Sequence, residues 1–182
     1  MARKCQNSSA AYNHGGMLQA VVEGKVRTVI DCLMNWEIHG HGWTRPAETD
    51  KLKVYPLPFG WTEDEGQWER DWGRDSSGIV RLLLRKHNKP IRETFKILAN
   101  SNRYPVIYYC RGALHRSKII ASLIYLAVGV SEQEVSSWLR LELYLHRTML
   151  DEINRHGGIN SYLKHIGVSA EEIEKLKAIL LE

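Results

Sequence analysis

The sequence predicts an α/β domain: a small central sheet flanked by helices, with an all-helical C-terminal end. Three observations carry this. "KVRTVIDC" (Lys25–Cys32) and "VIYY" (Val106–Tyr109) are short apolar, β-branched or aromatic runs with the length of buried strands. Stretches of helical patterning separate and follow them. Two Ser-x-x-Glu capping boxes, Ser131 with Glu134 and Ser169 with Glu172, mark the last third as helices alone. A chain of 182 residues is most economically one domain over 1–182, with 131–182 as its helical C-terminal part.

Taken in order, Met17 to Glu23 reads as a short helix leading into the first strand. "KLKVYPLPF" reads as a second strand, ended by Pro56 and Pro58. Gly60 to Gly78 is polar, acidic and punctuated by glycine, and it carries Trp61, Trp68 and Trp72. Its length argues for a functional loop over a plain connection. Ile79–Lys86 and Ile91–Ala99 read as helices, and Pro105 opens the strand Val106–Tyr109. A helix follows from Arg116 to Ala127. The first capping box starts a long helix to about Arg155, which Gly157 and Gly158 stop. Asn160–His165 is a short helix, and the second capping box begins a terminal helix reaching Leu181.

Composition narrows the function. The net charge of +4 is mild and the basic residues are dispersed, which suits an anionic substrate and gives no nucleic-acid patch. The longest apolar run, Ile119 to Val130, is too short to span a bilayer, so no membrane insertion is expected. The N-terminal stretch has no apolar core like that of a signal peptide, and the expected location is cytoplasmic. Cys5, Cys32 and Cys110 are odd in number and widely spaced, with no zinc spacing among them. No metal and no cofactor is expected. His39 and His41 in "HGHGW" read as loop residues, and the tryptophans, Trp36 and Trp43 among them, as core or cleft lining.

The chemistry concentrates in "VIYYCRGALHRSKIIASLIYL". A strand ending at Tyr109, a short loop and a helix starting near Arg116 bring unpaired backbone N–H groups to one point, where the helix dipole favours an anion. That field lowers the pKa of a thiol at the loop's start. Arg116 adds a planar fork that matches two phosphate oxygens. Ser117 can donate a hydrogen bond to the sulfur. One segment therefore supplies a nucleophile, an anion cradle and a transition-state clamp.

Cys110, five residues, Arg116 and Ser117 resemble the phosphate-binding loop of the cysteine-dependent protein tyrosine and dual-specificity phosphatases. The chain is most similar to their bacterial and fungal branch. "VRTVIDC", "IASLIYLAVGVSEQEV" and "GGINSYLKHIGVSAEEIEKLKAILLE" resemble that branch's early strand, post-loop helix and C-terminal end. The resemblance runs from about Leu18 to Glu182 and is weakest between Met34 and Ile79. It implies a phosphotyrosine phosphatase-like fold. It also implies a phosphate loop made of Arg111, Gly112, Ala113, Leu114, His115, Arg116 and Ser117.

This chain departs from the pattern at several points. Tyr109 stands where the family has histidine. Gly112 and Ala113 come in shifted order, and Leu114 with His115 replaces a common Lys-Asp. A His-Arg pair does occur in a related group that hydrolyses inositol pyrophosphates.

The implied reaction is phosphomonoester hydrolysis through a cysteinyl phosphate, with Cys110 as nucleophile and Arg116 as clamp. The leaving oxygen needs a proton. Candidates are Asp75, Asp71 and His115, with Asp75 placed first because Gly73 and Gly78 flank it as hinges. Expected partners are a phosphorylated protein or a small phosphorylated substrate, such as an inositol phosphate or phosphoinositide. The rival reading is a catalytically weak pseudophosphatase that binds phosphate.

Overall fold

In the computed structural model, residues 14–41, 44–60 and 76–181 are described. Three strands form a parallel sheet, β1 (Thr28–Asp31), β2 (Lys53–Pro56) and β3 (Val106–Tyr109), in the order β2-β1-β3. Thr28 pairs with Lys53 on one side and Val106 on the other. All four residues of β1 and of β3 are buried; β3 is apolar or aromatic throughout, whereas β1 buries Thr28 and Asp31 beside Val29 and Ile30. β2 is half-exposed at the sheet's edge. Pro56 lacks an N–H for the ladder and is tolerated there.

Successive side chains alternate between two apolar clusters, one on each face. Ile30, Cys32, Val106, Tyr108 and Cys110 belong to the larger; Val29, Ile107 and Tyr109 belong to the smaller. α1 (His14–Val22) closes the smaller cluster with Met17 and Ala20. The larger is built by α3 (Ser76–Lys86), α4 (Asn88–Leu98), α5 (Arg116–Ala127) and the helices that follow. Helices thus cover both faces, as expected of a small parallel sheet.

In α4 the buried residues are Ile91, Thr94, Phe95 and Leu98, one face at helical spacing. The helix starts three residues before the expected Ile91, because Pro90 is compatible with a first turn. α5 is buried on nearly every side and runs through the middle of the larger cluster.

The helix expected from Ser131 to Arg155 is instead two, α6 (Glu132–Leu139) and α7 (Leu143–Arg155). Arg140 adopts a left-handed conformation (φ 47°), and the Leu141 N–H reaches back to the Ser136 carbonyl at 3.0 Å. This closure usually uses glycine, so nothing in the local sequence announced the break. α2 (Asn35–His41) was also unexpected. α8 (Ile159–His165) and α9 (Ala170–Leu181) complete the C-terminal part.

Both capping boxes form. Glu134 accepts from the Ser131 backbone N–H at 3.2 Å, and Glu172 from that of Ser169 at 2.7 Å. A bidentate pair ties α3 to α7: Arg85 Nε and Nη2 lie 2.8 and 2.6 Å from the Glu152 carboxylate. The buried Tyr162 hydroxyl donates to the Leu84 carbonyl at 3.0 Å, tying α8 to α3. Among the described residues no helix is long and apolar enough to cross a membrane.

Candidate active site

β1 and β3 are parallel neighbours, so their C-terminal ends open on the same edge of the sheet. Cys32 and Cys110 each follow directly, and the Cys32 N–H donates to the Tyr109 carbonyl at 3.0 Å. After Cys110 the chain turns through 111–115 and enters α5 at Arg116. Ala113 takes up a left-handed conformation in this turn (φ 53°), strained for a residue with a Cβ. Gly112 stands one position earlier, so the chain bends left-handed where its own sequence has alanine.

Cys110, Arg111, Gly112, Leu114, His115 and Arg116 line one cavity of about 230 Å³, together with Trp36 and Glu37 from α2. Cys110 is 2% exposed, at the cavity floor. Its Sγ lies 3.4 Å from the Ser117 Oγ, within reach of the hydrogen bond expected of that serine. The structure therefore brings Cys110, Arg116, His115 and Ser117 together. Asp75 and Asp71 lie outside the described residues, as do Trp43, Trp61, Trp68, Trp72 and Cys5.

Arg116 is held more firmly than the sequence suggested. Its Nη1 and Nη2 lie 2.6 and 2.7 Å from the two oxygens of Glu37, and Nη1 also donates to the Cys32 carbonyl at 3.1 Å. Both side chains are almost wholly buried. Burial alone would pull the guanidinium pKa down; hydrogen bonds to Glu37 and the negative partners around it hold it up. The Glu37 pairing uses the end edge of the guanidinium. The side edge, with Nε–H and the second Nη2–H, is the geometry that meets a second bidentate anion. Gly60 sits against this pair. A Cβ there would come within 2.9 Å of the Met34 side chain, which would have to shift, and into ordinary contact, 3.5 Å, with Arg116 Nη1.

Sequence reasoning missed Glu37 and gave Trp36 only a generic role. Their one local signal is that Glu37 accepts the Met34 backbone N–H at 2.9 Å, half of a capping box opening α2. His39, on the same helix, is exposed. Among the described residues no group of three or more His, Cys, Asp or Glu side chains is placed to hold a metal.

His115 immediately precedes α5 but makes no capping bond with its side chain. Its Nε2 lies 2.7 Å from the hydroxyl of Tyr144, in the first turn of α7. Burial lowers the imidazole pKa below the usual histidine value. Arg116 and Lys118 lower it further, and Glu142 opposes them. Lys118 itself donates to the Arg140 carbonyl at 3.0 Å.

Tyr109, which occupies the position where the resembled family has histidine, faces away from the cavity. It packs in the smaller cluster beside Asp31. Burial, then the Asp31 charge, pushes its phenol well above the usual range, so it stays protonated. Asp31 is fully buried, accepts the Leu33 N–H at 2.8 Å and pairs with Arg45. The chain matches no family model and no curated protein, so the functional reading rests on this geometry together with the motif.

Proposed function

We propose that the chain is a cysteine-dependent phosphatase that hydrolyses phosphomonoesters through a cysteinyl-phosphate intermediate. The observation that carries this is the shared cavity: Cys110, the loop after it and the oriented Arg116 guanidinium all border one space at a helix N-terminus. Cys110 attacks phosphorus as the P–O bond to the alcohol or phenol breaks. The leaving oxygen takes a proton, and water then attacks the cysteinyl phosphate and releases the thiolate. Loop amides and Arg116 bind the equatorial oxygens, and Ser117 stabilises the departing sulfur. Of the three candidate acids, Asp75, Asp71 and His115, His115 borders the cavity.

The substrate class is a phosphorylated protein, on tyrosine or on serine or threonine, or an inositol phosphate or phosphoinositide. Arg111, exposed at the cavity mouth, favours a multiply charged substrate. The same cavity also motivates a second reading. Glu37 borders it and neutralises much of the Arg116 charge, which weakens the field on an incoming dianion. A phosphate-binding module with little turnover is the result expected if that weakening dominates.

Release of p-nitrophenol from p-nitrophenyl phosphate by the wild-type protein and by Cys110→Ser separates the two. The hydrolase reading expects turnover by the wild type and none above the buffer control for the variant. Equal rates in both proteins would refute it. Phosphate binding by calorimetry without turnover would establish the module.

A further inference from the structure

We propose that Tyr144 is a positioning residue of this site: its hydroxyl holds the His115 imidazole by Nε2, so that Nδ1 serves the cavity as the proton-carrying atom. The inference rests on the hydrolase reading and assigns the proton step within it. Four observations support it. His115 borders the cavity beside Cys110 and Arg116. Its ring is not spent on capping the helix it precedes. Its Nε2 is held 2.7 Å from a hydroxyl contributed by another helix, 29 residues further along the chain. At the start of α7 the chain leaves Leu143 71% exposed while the next residue, Tyr144, turns inward to reach the imidazole.

An imidazole with one nitrogen engaged has only the other to offer a ligand. The groups around the ring set its protonation. Arg116 and Lys118 on α5 disfavour the charged form, as does burial, whereas Glu142 just before α7 favours it. The ring is therefore neutral at neutral pH without a ligand. In the proposed arrangement the Tyr144 O–H donates to Nε2 and the ring hydrogen sits on Nδ1. An entering phosphate brings negative charge beside the ring and raises its proton affinity. The ring takes a proton from solvent, and the Tyr144 oxygen turns from donor to acceptor of Nε2–H. As the S–P bond forms and the P–O bond breaks, the electron pair of that bond stays on the leaving oxygen, which takes the Nδ1 proton. The imidazole returns to its neutral form. In the second step it accepts a proton from the attacking water as the P–S bond breaks and the pair stays on sulfur.

The test compares wild type, Tyr144→Phe, His115→Asn and the double variant on phenyl phosphate, a poor leaving group, and p-nitrophenyl phosphate, a good one. Tyr144→Phe should lower kcat on phenyl phosphate about tenfold, the worth of one well-placed hydrogen bond, and change the p-nitrophenyl phosphate rate far less. In the His115→Asn background it should add no further loss. Equal losses on both substrates, or full additivity, would overturn the proposal. Nitrogen-15 spectra of the ligand-free protein give a readout independent of turnover. Wild-type His115 should carry its hydrogen on Nδ1, and Tyr144→Phe should shift the balance toward Nε2–H. An Nε2–H tautomer in the wild type, or a tautomer indifferent to the substitution, would overturn the proposal whatever the phosphatase assay shows.

Discussion

Glu37→Gln tests how the site is built. The substitution keeps the side chain's shape and one acceptor oxygen but removes the charge opposite Arg116. In the folded protein that guanidinium is 8% exposed and Glu37 is 2% exposed, so water does little to replace the lost partner. Breaking a buried pair from one side typically costs about 3–5 kcal/mol, because the remaining charge stays buried. The retained oxygen and the Cys32 carbonyl, 3.1 Å from Nη1, place the loss at the lower end, about 3 kcal/mol. For a chain of this length that is a fall in Tm of roughly 6–12 °C. Thermal unfolding followed by circular dichroism at 0.1 M and 1 M salt measures it. Salt should change the difference little, since buried charges are weakly screened. A Tm within 2 °C of wild type would show that Glu37 is not the buried partner of Arg116, and the account of the clamp would fail. Under the hydrolase reading kcat falls as well, because the guanidinium loses the contact that orients it.

Two further outcomes probe other parts of the molecule. Ala113→Gly should stabilise the protein by roughly 1 kcal/mol, because glycine accepts the left-handed backbone that alanine resists; an unchanged or lower Tm in thermal unfolding would contradict the described turn. Glu152 is held below its usual pKa chiefly by hydrogen bonds from Arg85 against the opposing effect of burial, with Arg155 and Arg81 adding to the lowering. A lowered folded-state pKa gives stability that is complete above the unfolded value and is lost as pH falls through the folded one. The stability gap between wild type and Glu152→Gln should therefore be constant from pH 5 to 8 and shrink below about pH 4.5. Urea unfolding at a series of pH values checks this, and a gap that widens in acid would reverse the assignment.

What could be read from the sequence follows from the range of the interactions involved. β3 was legible as a continuous apolar and aromatic run, and β1 by its β-branched Thr28, Val29 and Ile30. The loop was legible because Cys110, Arg116 and Ser117 lie within one strand-turn-helix unit, so their spacing is their geometry. Ser131 and Ser169 announced their helices for the same local reason. The Glu37 and Tyr144 contacts with Arg116 and His115 were not legible, because each partner reaches the loop from a distant stretch. The break between α6 and α7 was hidden because an arginine occupies a left-handed position where glycine would have marked it. Tyr109 counted as a departure from the family pattern, yet its side chain lies on the far face of the sheet and takes no part in the cavity.

The Arg116–Glu37 contact joins residues 79 positions apart, and the His115–Tyr144 contact joins residues 29 positions apart. Neither can exist in a fragment that lacks one of its two partners. An intermediate that had gained its helices without docking α2 and α7 would have the motif but not the working constellation. Under the hydrolase reading, recovery of turnover during refolding should therefore lag behind recovery of helicity, and would report the last long-range closures.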